Sequence, residues 1–165
     1  MNNVWLAVAT ALVAATALVT HTAALTIATA PITFPGVTLD GTDQTVSGST
    51  SAWRADATGT ADGWNVTVAS TDFANDDGKT IAVSNFESRL MDANIVTVSG
   101  DTNGPTSTQT TFASLSGTAL KMASAAAGAG DGVYDLTPDF RLTVGAETYA
   151  GNYTATVTIT ISAGP

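Results

Sequence analysis

Between Tyr153 and Ile161 apolar and polar side chains alternate without a break, Tyr153, Ala155, Val157, Ile159 and Ile161 on one side and Thr154, Thr156, Thr158 and Thr160 on the other. A period of two places every second side chain on the same face of an extended chain, so the segment reads as a strand with one face to bury and one to wet. Trp64, Val66 and Val68 alternate with Asn65 and Thr67 in the same way, as do Trp53, Ala55 and Ala57 with Arg54, Asp56 and Thr58. Further strands are expected at Val37–Leu39, Ile95–Val98, Ala119–Ala123, Val133–Leu136 and Phe140–Val144. Turn clusters punctuate them at Asp40-Gly41, Asp62-Gly63, Asp76-Asp77-Gly78, Asn103-Gly104-Pro105 and Asp131-Gly132. With no long amphipathic helix in between, the pattern predicts an all-β fold, a β-sandwich of short, mostly antiparallel strands. The closing strand, with its five apolar positions from Tyr153 to Ile161 turned inward, is expected to be a central element of the fold rather than a dispensable tail.

A chain of 165 residues suits one domain, because two independent cores would each be marginal. Residues 1–24 stand apart. They contain no Asp, Glu, Lys or Arg, and run from Val4 to Val19 as an apolar stretch followed by small residues, as in a signal peptide or an N-terminal hydrophobic anchor. Residues 25–34 form an extended Thr/Ile/Ala segment, and residues 35–165 the sandwich domain. The formal net charge is -9. Such a surface repels phosphate backbones and anionic headgroups, so no nucleic acid partner is expected and electrostatic membrane binding is disfavoured.

The inventory for catalysis is thin. There is no cysteine, and the single histidine, His21, falls in the N-terminal hydrophobic segment, so neither a Ser/His/Asp nor a Cys/His nucleophile system is available, nor a histidine zinc site. Glu87 and Glu147 are the only glutamates. We read the chain as having no catalytic residues, no cofactor and no metal. The loop Asp72, Asn75, Asp76, Asp77, Gly78 is oxygen-rich, but its spacing departs from the EF-hand loop, and turn residues satisfying their own backbone account for it. Trp53 and Trp64 are either core aromatics or exposed rings that stack on sugars, and sequence alone leaves both open.

Three stretches carry a likeness. Val37 to Thr45, Gly63-Trp64-Asn65-Val66-Thr67-Val68, and Tyr149-Ala150-Gly151-Asn152-Tyr153 running into the closing strand and Pro165 resemble the WxL-domain surface proteins of Gram-positive bacteria. The resemblance covers the chain from about Pro35 to Pro165. It implies a secreted protein that associates with peptidoglycan or another wall glycan at the cell surface, with Trp64 and Val66 as motif residues and Trp53 as a further aromatic candidate. Two departures fall on the motifs: Val66 stands where leucine is usual, and Ile159-Thr160-Ile161 replaces the second tryptophan motif.

Two functions follow as expectations. The first is a non-catalytic, wall-associated binding module. The alternative is a structural subunit of an extracellular filament or surface layer, joined to other copies of itself or to other surface proteins. For that, the segment bearing Leu25, Ile27, Ile32 and Phe34 would leave its own domain and add to a neighbour's sheet edge, backbone pairing giving affinity and alternate side chains filling pockets.

Overall fold

The computed structural model describes residues 10–11 and 25–164. The expected signal peptide or anchor, and His21 with it, lies outside the described residues apart from Thr10–Ala11. In chain order the strands are β1 (Thr10–Ala11), β2 (Thr26–Ala28), β3 (Ile32–Thr33), β4 (Gln44–Gly48), β5 (Trp53–Asp56), β6 (Trp64–Ser70), β7 (Phe73–Ala74) and β8 (Thr80–Ile81). They continue with β9 (Phe86–Arg89), β10 (Ile95–Gly100), β11 (Thr106–Ser107), β12 (Ala113–Ser114), β13 (Leu120–Ala125), β14 (Gly132–Leu136), β15 (Asp139–Val144) and β16 (Val157–Ala163). Among the described residues the only helices are single 3-10 turns at Val83–Asn85 and Asp92–Asn94.

Every pairing is antiparallel, and two layers result. One four-stranded sheet has the order β10-β14-β5-β2 and another the order β12-β9-β15-β4. These two are halves of one bent layer, because β9 leads into β10, β14 into β15 and β4 into β5. The Thr137 amide bonds the Asn94 carbonyl at 2.9 Å across the bend. The facing layer has the order β11-β13-β6-β16. Its β6 shows why the sequence folds this way: Trp64, Val66, Val68 and Ser70 are buried and the residues between them are only half-buried. The core lies between the layers. Trp64 reaches across to Tyr134 with ring centroids 5.8 Å apart, and Phe34, Phe73, Phe86 and Phe140 form a chain of ring contacts at one end.

Several expectations need correction. Val37–Leu39 is not a strand. Val37 is buried, but the Thr38 carbonyl accepts from the Gln44 side chain instead of a neighbouring strand. The closing strand proper is Val157–Ala163, and it is an edge strand, paired only with β6. All five of its apolar positions from Tyr153 to Ile161 are nonetheless buried.

In this single chain the segment 25–34 packs within its own domain. Leu25, Ile27, Ile32 and Phe34 are buried in the same core as the rest. Thr26, Ile27 and Ala28 pair with Asp56, Ala55 and Arg54, and the Thr33–Ser49 bridge continues that register. Gly48 makes room for Phe34, since a Cβ there would fall 2.6 Å from the ring. The physical reason is burial: four large apolar side chains find their pockets within the chain itself.

Candidate functional site

The two tryptophans that sequence leaves open between core and glycan contact are inside. Trp53 and Trp64 are 1% and 0% exposed and Val66 is 0% exposed, so none of the three presents a surface to a glycan. The Trp64 indole N–H donates to the Gly130 carbonyl at 2.9 Å. Trp53 packs on Phe140, and its indole nitrogen is buried without a partner. The WxV motif of this chain is therefore a core motif. Its alternation set these residues on the inward face of β5 and β6, where an indole buries more area than any other side chain.

The exposed aromatic is one the tryptophans drew attention away from. Tyr149 is 62% exposed and lines a cleft of about 290 Å³ with Lys79, Thr80, Ile81, Asn85, Glu147 and Thr148. The Lys79 ammonium lies 4.3 Å from the centroid of its ring. One wall of the cleft is the β7–β8 hairpin. Asn75 ties its turn together, its side-chain oxygen accepting the Asp77 and Lys79 amides at 3.1 and 2.7 Å, and Asp72 of the same oxygen-rich loop accepts the Val83 amide at 2.8 Å. The other wall is the β15–β16 connection. Ala74 and Thr154 exchange backbone hydrogen bonds at 2.8 and 2.9 Å, and a Cβ on Gly151 would fall 2.7 Å from the Asn75 amide, so the two walls are pressed together. The Tyr153 hydroxyl donates to the Tyr149 carbonyl at 2.9 Å, and burial raises the pKa of that phenol.

A second, larger cleft of about 510 Å³ sits at the end of the sandwich where Gly59, Thr60, Ala61, Gly100, Asp101, Gly128 and Asp131 meet. Its two carboxylates are occupied by backbone: Asp131 accepts the Gly59 amide at 2.7 Å and Asp101 the Asn103 amide at 2.8 Å. Among the described residues no cluster of histidine, aspartate and glutamate side chains is arranged to hold a metal ion.

The charges follow one rule. Arg54 faces Asp135, Arg89 faces Asp139 and Arg141 faces Glu87, each pair directly opposed across a ladder at 2.6 to 2.9 Å. The Asp135 hydrogen bond raises the Arg54 pKa, and the Arg54 bond holds Asp135 below the usual carboxylate range. The Arg89 and Arg141 guanidinium groups stack on the Phe112 ring at 4.5 and 4.2 Å, fixing the loop before β12 over the sheet.

Fold and surface together define an antiparallel β-sandwich with a structural tryptophan motif, no exposed tryptophan among the described residues and arginines neutralised in place. Residues 19–165 match the family described as WxL domain, surface cell wall-binding, and the chain belongs to that family. It is accordingly a cell-surface protein of the cell wall. No curated protein matches the chain. Among solved structures, a family 123 glycoside hydrolase from Clostridium perfringens is similar at 12% identity with a TM-score of 0.40, over 74% of this chain and 18% of that one. The chain thus spans less than a fifth of that enzyme, and a likeness so slight carries no argument.

Proposed function

We propose that the protein is a non-catalytic module whose wall ligand is the neutral glycan of peptidoglycan. The observation that carries this reading is the pairing of Arg54, Arg89 and Arg141 with carboxylates on a chain of net charge -9. An anionic wall polymer finds every guanidinium engaged, only the ammonium groups of Lys79 and Lys121 outside an ion pair among the described residues, and a repulsive field around it. A neutral sugar chain pays neither cost.

Ten of the fourteen carboxylates are engaged, and Glu147 is the only unengaged one in the Tyr149 cleft, which supports the absence of a catalytic pair there. Asp40, Asp43, Asp56, Asp72, Asp92, Asp101 and Asp131 each accept a backbone amide, and Glu87, Asp135 and Asp139 are held by arginine. A glycosidase needs a pair of carboxyl groups free to exchange protons across a sugar-binding cleft. The test is sedimentation with insoluble peptidoglycan stripped of phosphate-bearing polymers. Binding should hold between about 0.05 and 0.5 M salt, since screening acts on charge and not on neutral contacts, and no soluble fragments should be released. Binding that requires the anionic polymers, or fragment release, overturns the reading.

A further inference from the structure

We infer that the cleft at Tyr149 is a sugar subsite that takes one uncharged pyranose ring bearing hydroxyl and acetamido groups. This rests on the neutral-glycan reading above and names where the ring is held. The side-chain chemistry suits the ligand. A pyranose presents a face of C–H groups to the negative face of an aromatic ring, and Tyr149 is the most exposed large apolar side chain among the described residues. Around it, Lys79 and Asn85 offer N–H donors, while Glu147 and Thr148 offer acceptors for hydroxyl groups. The lining is mostly polar around one aromatic wall, which suits a hydroxyl-rich ring, and about 290 Å³ lies just under the range for drug-sized ligands.

The site is held in shape before any ligand arrives. Lys79 fixes the ring from one direction by a cation–π contact at 4.3 Å. The Asn75-capped hairpin, the Ala74–Thr154 pair and the Tyr153 bond to the Tyr149 carbonyl fix its two walls. Preorganisation of this kind lowers the entropy cost of binding a small ring. The larger cleft lacks an aromatic wall and has its carboxylates engaged.

The test uses a soluble N-acetylglucosamine trimer followed by NMR, with stripped peptidoglycan sedimentation beside it. Shifts should fall on the amides of Lys79, Asn85, Glu147 and Tyr149. Tyr149→Ala should weaken both kinds of binding by about tenfold or more while leaving the melting temperature unchanged, and Tyr149→Phe should bind within about threefold of the parent. If the parent binds and Tyr149→Ala binds equally well, or if the shifts gather at Gly59, Gly100 and Asp131, the subsite is refuted and the neutral-glycan reading stands. If the parent fails to bind stripped peptidoglycan at all, it is the underlying reading that fails.

Discussion

The Trp64 indole N–H bonds the Gly130 carbonyl at 2.9 Å from a ring with no exposed surface, and Gly130 in turn leaves space for the indole, its would-be Cβ lying 2.9 Å from the same nitrogen. Motif strand and distant loop are thus fitted to each other. Trp64→Ala should cost about 3–5 kcal/mol. The more telling comparison is with phenylalanine. Trp64→Phe strands the Gly130 carbonyl and should cost about 1–3 kcal/mol beyond the volume lost, whereas Trp53→Phe removes an indole N–H that has no partner and should cost less. Denaturant melts of both variants check the order.

Gly63 and Gly78 share a backbone φ of +73° but not their surroundings. A Cβ at Gly63 would fall 2.4 Å from the Ala125 carbonyl, while at Gly78 nothing lies within 4 Å. Gly78→Ala should therefore cost only the left-handed strain, about 1–2 kcal/mol. Gly63→Ala adds a backbone clash and should cost about 3 kcal/mol or more. Equal melting temperatures for the two would contradict the packing of the β13 loop against β6.

Truncation before Asn152 removes β16 and the buried Tyr153, Ala155, Val157, Ile159 and Ile161. Burying each of the larger ones contributes roughly 1.5–3 kcal/mol, so together they match the stability of a whole domain, about 5–15 kcal/mol. The truncated chain should be unfolded or aggregated, with the edge of β6 laid bare. Solubility and a thermal melt decide it. A soluble product with a sharp transition would show that an edge strand this apolar is dispensable.

How much of this was legible beforehand follows from where each residue faces. Strands with one apolar face, such as β6 and β14, announce themselves by alternation. Residues Phe86–Arg89 did not, because Glu87 and Arg89 point outward into cross-strand ion pairs and make the segment read as polar. Gln44–Gly48 likewise has no fully buried position. Leu25, Ile27, Ile32 and Phe34 read as an apolar set, but composition does not say whose core they fill. Tyr149 is visible only as part of a turn: one aromatic among Ala, Gly and Thr has no period, and the cleft it lines takes its other wall from a hairpin more than sixty residues away.

The acid side of the stability profile comes from carboxylates with lowered pKa values. Hydrogen bonds from Thr58 lower Asp56 and the Arg54 bond lowers Asp135, both below the ordinary 3.8. Their stabilisation is complete above that ordinary value and is lost as pH falls from it through the native values. Stability should be flat from neutral pH down to about pH 5 and then fall. Asp135→Asn should lower the melting temperature at pH 7, with the difference from the parent vanishing in strong acid. A difference that persists at low pH would mean that packing, not charge, is lost.

The central claim is that the tryptophan motif builds the sandwich and that glycan meets the surface instead. The most direct measurement is a binding isotherm of folded Trp64→Phe on stripped peptidoglycan, taken well below its melting temperature. The account predicts an affinity within about twofold of the parent, because a ring with no exposed area cannot touch the ligand. A folded variant that no longer binds would place the indole at the glycan and contradict the account.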